Sequence, residues 1–373
     1  MTLSPTLFSP IRLGPLELSN RIMVSPMCQY SASYGNPVAW HFIHLGSLAI
    51  SGAGLLCLEA TAVTSEGRIT PGCLGLYNDE NEDGLGQVVA SLRAVSGIAL
   101  AIQLCHAGRK ASSRTPWDGG ALIAEDEGGW KPLAPSAIPQ KPGEPAPKAM
   151  DADDIGQIVT AFANAAQRAR RLGFDAIELH MAHGYLMHQF MSPQSNRRTD
   201  DYGGSFENRI RLPLDVCKAV LEAAGPDIAV GVRLSATDWV DDSWDVTQTV
   251  ALCKRLEALG CSFLDISSGG LSHLQQIPLS PGYQVPFAEQ VKREVNIPVV
   301  SVGLITSGRQ AEDILLQGKA DMVAVGRGFL NDPRWPWRAA AEVGGTVSTS
   351  KQLLRSLPRG HAPIFGEVKI GQR

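Results

Sequence analysis

Two imidazoles and a phenol fall within six residues, His180-Met181-Ala182-His183-Gly184-Tyr185, directly after the apolar run Asp175-Ala176-Ile177-Glu178-Leu179. Imidazole N–H groups can hold a developing oxyanion, and a phenol can hand over a proton. Together they suit chemistry on a carbonyl compound. A third imidazole close by, His188, supports a rival reading in which His180, His183 and His188 bind a metal. Against the metal, no neighbouring Asp or Glu completes an obvious triad, and Gly184-Tyr185 adds no ligand common in zinc sites. Tyr185 also has a plain alternative, a core aromatic with a satisfied hydroxyl.

Such groups work only if the chain carries them to one place, and the hydrophobic pattern says how. Short β-branched or aliphatic runs at 22–25, 54–60, 99–104, 176–179, 229–234, 263–266, 299–302 and 322–325 alternate with longer amphipathic stretches. The latter include 154–172, 207–223, 247–259, 287–294 and 309–317. Continuous apolar strands separated by helices indicate a parallel sheet buried on both faces. Eight such units in 373 residues predict an α/β fold, a (β/α)8 TIM barrel. The run 11–18 reads as a hairpin plugging the barrel bottom. Residues 108–148, rich in Pro, Gly and Trp, form a long capping excursion after the third strand, of a length usual for a lid or binding loop. Asp151 and Asp154 mark the helix start beyond it. No linker divides the chain, so 1–373 is expected to be a single barrel, with the tail 338–373 at a subunit interface.

Residues at the C-terminal strand ends of a barrel face one mouth. Here these are Ser25-Pro26-Met27-Cys28 with Tyr30 close behind, Glu59-Ala60-Thr61, Gln103 followed by His106-Ala107-Gly108-Arg109-Lys110, the His180 cluster, Arg233, Ser301-Val302-Gly303 and Val325-Gly326-Arg327-Gly328. The loops after the seventh and eighth strands are the usual phosphate site of such barrels. Gly303 and Gly326 let backbone approach a phosphate, and Arg327 supplies charge. Alternatively the glycines only end strands and Arg327 is a surface residue. No G-x-G-x-x-G follows a strand, so a phosphate-bearing cofactor would be a mononucleotide or small ester. Gln103 and Arg233, expected on neighbouring inner strands, could grip its ring system, Arg233 near the pyrimidine edge of a flavin. The alternative pairs Arg233 with a carboxylate in the barrel, such as Glu59 or Glu178.

A formal charge of -4 gives no field for gathering nucleic acid or anionic lipid, and no apolar run approaches the ~18 residues of a membrane span. Residues 1–14 show no secretory pattern. Seven cysteines in no regular framework imply a reducing, cytoplasmic setting.

Longer runs carry a resemblance. Ser25-Pro26-Met27-Cys28-Gln29-Tyr30, Glu59-Ala60-Thr61-Ala62-Val63, Gln103 with His106-Ala107-Gly108-Arg109-Lys110, His180 to Tyr185, and the stretch from Ser195 to Arg209 resemble the Old Yellow Enzyme family, in the family's order from about Leu7 to Trp337. The cysteine near the first strand looks like the xenobiotic-reductase or thermophilic-like subclass. The resemblance implies an FMN across the barrel mouth, NADPH or NADH as hydride donor, and reduction of α,β-unsaturated carbonyl compounds. It implies flavin contacts for Ser25, Pro26, Met27, Cys28, Ala60, Gln103, Arg233, Gly326 and Arg327, with Gly303 on the phosphate side. His180 and His183 match the pair that binds the substrate oxygen, Tyr185 the proton donor, and Tyr30 a substrate contact. Cys28 would tune the flavin, and Trp117 would border the substrate or pack the lid. The tail around Arg359 resembles the place where subclass members extend an arginine into a neighbour's site, although Leu357-Pro358 replaces the aromatic expected before it. A homodimer or dimer-based assembly follows.

Overall fold

The structure, a computed structural model, describes residues 5–357 and 360–366. The chain enters through an antiparallel hairpin of β1 (Ile11–Leu13) and β2 (Leu16–Leu18). The elements then run β3 (Ile22–Val24), α1 (Ala39–Ala49), β4 (Leu55–Ala62), α2 (Asp79–Val95) and β5 (Ala99–Cys105). The excursion follows, containing β6 (Leu133–Ala134) and β7 (Lys148–Ala149). After it come α3 (Ala152–Arg171), β8 (Ala176–Met181), α4 (Leu186–Met191), α5 (Phe206–Arg209), α6 (Arg211–Ala224), β9 (Ala229–Ser235) and α7 (Val246–Leu259). The last part holds β10 (Phe263–Ser267), α8 (Val285–Lys292), β11 (Val299–Ser301), α9 (Gly308–Leu316), β12 (Met322–Val325), α10 (Arg327–Asn331) and α11 (Trp335–Val343).

Eight of these strands close a parallel barrel in the order β10-β11-β12-β3-β4-β5-β8-β9. Every residue of β4, β8, β9 and β10 is buried, because one face of each strand lines the interior and the other meets a helix. The interior is layered by the two-residue repeat of the strands. The hairpin seals one end with Leu13 and Leu18, which pack on Met23, Leu55, Ala101, Ala176, Phe263 and Met322. Gly231 leaves room for the Phe263 ring, since a Cβ at 231 would lie 2.3 Å from a ring carbon. Two residues further along β5, β8, β9 and β10 the lining turns polar, with Gln103, Glu178, Arg233 and Asp265, all buried. One more step reaches the mouth.

The helices carry the matching apolar faces. In α3, Ile155, Ile158, Phe162, Ala165, Ala166 and Ala169 recur at helical spacing and are buried. Asp151 caps this helix, accepting Asp154 N at 2.9 Å while Asp154 accepts Asp151 N at 3.0 Å. The single helix expected at 207–223 is two, α5 and α6, restarting at Ile210. Pro213, which has no N–H, sits in the first turn of α6, where none is required. The excursion is tied down rather than loose. Its β6 and β7 pair in parallel, and Ser112 Oγ donates to Ile123 O at 3.1 Å and accepts Trp130 N at 2.9 Å.

Candidate active site

The end of β8 delivers His180, and the turn after it delivers His183 and Tyr185. The His180 ring meets those of His183 and Tyr185 edge-on, with centroids 5.1 Å and 4.9 Å away. The turn is costly to make. His183 (φ +56°) and Gly184 (φ +73°) are both left-handed, which costs a non-glycine residue about 1–2 kcal/mol. Ser235 Oγ accepts His183 N at 2.9 Å, and Lys110 Nζ donates to His183 O at 2.8 Å and to Gly270 O at 2.6 Å. These bonds offset the strain.

Electrostatics follow from burial. Desolvation, then the Arg233 charge, holds both His180 and His183 well below the usual imidazole range, so each is neutral at pH 7. Burial pushes the Tyr185 phenol well up, and its proton stays on. Burial likewise raises Cys28, which remains a thiol, and Tyr30. Lys110 is pushed down to about 8 by burial and by Arg109 and Lys141. His183 Nε2 lies 2.6 Å from Ser267 Oγ, while His180 Nδ1 is buried with no partner. A vacant acceptor costs less than a stranded N–H, which favours the proton on Nε2 of His180.

A cavity of about 530 Å³ opens beside these rings, lined among others by Ser25, Met27, Arg233, Gly303, Gly326 and Arg327. A second, of about 340 Å³, lies under the excursion and shares Lys110 and Tyr185 with the first. Pro26 follows Ser25 at the rim. Cys28, Tyr30 and Tyr185 pack on a small cluster that includes Ala60. Trp117, on the excursion, meets the Tyr30 ring edge-on at 5.6 Å and is 68% exposed. Arg327 is exposed at the rim.

Three expectations need correction. Arg233 does pair with a carboxylate in the barrel, but with neither Glu59 nor Glu178: its Nε lies 3.3 Å from Asp265 Oδ2, and Nη1 donates to Ser25 Oγ at 3.0 Å. Glu178 instead accepts Gln103 Nε2 at 2.7 Å, and Glu59 faces His41 at 3.5 Å and accepts Gln29 N. Gln103 and Arg233 are not on neighbouring strands, because β8 runs between β5 and β9. His188 does not face the other imidazoles: Nδ1 accepts Gly184 N at 2.9 Å and Nε2 faces Asp238 Oδ1 at 2.7 Å. Among the described residues no group of three His, Cys, Asp or Glu side chains could hold a metal ion. Arg359 lies outside the described residues.

Sequence reading missed roles for Lys110, Asp238, Ser267 and Gln284. Lys110 stood in a quoted run without a task. Ser267 and Ser268 both donate to Gln284 Oε1, at 3.3 and 2.7 Å, and Gln284 Nε2 donates to Val302 O at 3.1 Å. Nothing local in the sequence signals that chain of contacts.

Residues 6–344 match the NADH:flavin oxidoreductase / NADH oxidase family. An NADPH dehydrogenase of Geobacillus sp. (strain WCH70) is 45% identical over 94% of this chain and 98% of its own length. An NADH:flavin oxidoreductase of Gibberella zeae is 42% identical, over 94% and 89%. Among solved structures, morphinone reductase in complex with tetrahydroNAD superposes with a TM-score of 0.75 at 32% identity, covering 92% of each chain. An Old Yellow Enzyme homologue from Zymomonas mobilis gives 0.75 at 26%, covering 92% of this chain and 94% of its own. The chain belongs to this flavin oxidoreductase family, that of the Old Yellow Enzymes. It is an NAD(P)H:flavin oxidoreductase with FMN as cofactor and NADPH or NADH as reductant. The mouth fits an FMN. Arg233 and Gly326 both line the cavity, Arg233 brings a buried positive charge to it, and at Gly326 even a Cβ would meet nothing closer than Met27 Sδ at 3.6 Å.

Proposed function

We propose that the protein reduces the activated C=C bond of α,β-unsaturated carbonyl compounds, with nitro compounds and nitrate esters as further acceptors. The observation that carries this reading is the edge-on cluster of His180, His183 and Tyr185 beside the mouth cavity. FMN, when bound, would supply the hydride-transfer chemistry that links NAD(P)H to the β-carbon of the acceptor. Ser25, Pro26, Met27, Cys28, Ala60, Gln103 and Arg233 would hold its ring system. Gly303, Gly326 and Arg327 would hold its phosphate.

The chain's own groups do the rest. As hydride adds to the β-carbon, negative charge gathers on the substrate oxygen. His180 and His183 offer it N–H donors, a substrate oxygen taking or sharing the place Ser267 has at His183. Loss of one such donor typically costs ~10²–10³ in rate. Tyr185 gives its proton to the α-carbon, a task suited to a phenol that burial keeps protonated. Tyr30 contacts the substrate. Cys28, held as a thiol, tunes its surroundings and is no nucleophile.

The protein is further proposed to be cytoplasmic and to assemble as a homodimer or multiple of dimers, with Arg359 reaching a neighbouring site. Six buried free cysteines support a reducing setting, and no helix among the described residues is long and apolar enough to cross a membrane. The half-exposed Trp40 and exposed Ile43 of α1 support a subunit contact. Light scattering measures the mass, and Arg359 loses this role if Arg359→Ala leaves both mass and substrate KM unchanged.

The decisive experiment is a visible spectrum. Flavin bands that bleach with NADPH without oxygen, and return on adding 2-cyclohexenone, are expected. Bands that bleach but do not return with any enone would overturn the substrate assignment.

A further inference from the structure

His188, the third imidazole near the site, takes no part in the reaction proposed above. It is fully buried, as is Asp238, which lies just beyond the end of β9. His188 Nδ1 accepts the Gly184 N–H at 2.9 Å, and Nε2 faces Asp238 Oδ1 at 2.7 Å. A ring nitrogen that accepts a hydrogen bond carries no proton, so in neutral His188 the proton sits on Nε2, toward the carboxylate. The second carboxylate oxygen, Oδ2, accepts Ser192 Oγ at 2.6 Å, Trp244 N at 3.2 Å and the Ser243 hydroxyl. Burial pushes the Asp238 carboxyl up, but His188 and the two serines outweigh it and hold it below the usual range, as an anion.

Gly184 is the joint of the strained turn. A Cβ there would come within 2.2 Å of Gly270 O, so the turn rests directly on the backbone after β10. The other polar backbone groups of the turn have fixed partners: Ser235 on His183 N, Lys110 on His183 O and Gln189 on Gly184 O. Gly184 N alone depends on a ring whose tautomer must be chosen.

We infer that His188 and Asp238 are positioning residues for the two flanking rings. Asp238 fixes the tautomer that leaves Nδ1 free to accept, and Nδ1 then locks the left-handed pair that sets His183 and Tyr185 against His180. The dyad thus ties the loop after β9 to the turn after β8. This inference rests on the reading that those rings act on the substrate.

The test compares FMN-loaded His188→Asn, whose amide oxygen can replace Nδ1 as acceptor, with His188→Phe, which keeps a ring and loses the acceptor. Reoxidation of the reduced protein by 2-cyclohexenone should fall about 10-fold or more in His188→Phe and recover largely in His188→Asn. Reoxidation by oxygen, which needs neither ring, should stay unchanged in both. Equal enone rates in the two variants, or a wild-type rate in His188→Phe, overturn the inference. Should neither variant fold, nitrogen-15 NMR of histidine-labelled wild-type protein decides: a proton on Nε2 of His188 is expected, and one on Nδ1 overturns it. The tautomer is independent of substrate, so a wild-type protein inert to enones would sink the functional reading and leave the dyad to be judged by NMR.

Discussion

Tyr185 is a phenol with the Lys110 ammonium 5.3 Å from its ring centroid and the His180 ring at its edge. Burial first, and then the neighbouring Cys28, Cys105 and Tyr30, keeps the hydroxyl protonated despite that ammonium, and leaves it beside both cavities. Tyr185→Phe should therefore leave reduction by NADPH near wild type and slow reoxidation by 2-cyclohexenone ~10²–10⁴-fold, the span usual for a general acid. Anaerobic stopped-flow absorbance separates the two halves, and equal slowing of both would remove the proton-donor role. The motif His180 to Tyr185 was legible because its members fall within six residues at one strand end. The partners were not. Asp265 meets Arg233 as its partner in the pairing of β9 with β10, and Asp238 reaches His188 from the loop after β9; no local spacing records which carboxylate a buried side chain will meet.

The strands were legible for a different reason: burial on both faces requires unbroken apolar runs, and all eight appear where such runs stand. The excursion resisted because its residues are fixed by backbone and side-chain hydrogen bonds, as at Ser112, which leave no periodicity. Two predictions belong to these elements. Leu18, 1% exposed in the hairpin plug, should cost ~2–5 kcal/mol as Leu18→Ala, read by urea unfolding, with FMN still bound. In the polar layer above, burial and then Asp265 raise Glu178 from 4.5 to about 8. Between those values the folded protein binds more protons than the unfolded chain, so stability falls as pH rises through the window. Glu178→Gln carries no such proton. Its thermal midpoint should gain on wild type from about pH 5 to about pH 8.5, and a constant difference would show that Glu178 is ionised throughout.

For the whole molecule, ligand binding and folding are linked. FMN at a hundredfold excess over its Kd should stabilise the apoprotein by about 2.7 kcal/mol. Riboflavin, lacking the phosphate, should give a smaller rise in thermal midpoint at the same concentration. Arg327→Ala should shrink the gap between the two ligands if the rim of the barrel holds the phosphate. An unchanged gap would move the phosphate elsewhere.

The contact between Gly231 and the Phe263 ring also constrains the order in which the sequence can drift. A methyl group at 231 would meet ring carbons at 2.3–2.4 Å, so the first step cannot be taken there. Phe263 must shrink before its neighbour can grow. Gly231→Ala alone should fail to accumulate as folded protein, whereas Phe263→Leu alone and the double variant should both fold. The two positions then behave as a ratchet, in which one substitution is viable only against the background of the other.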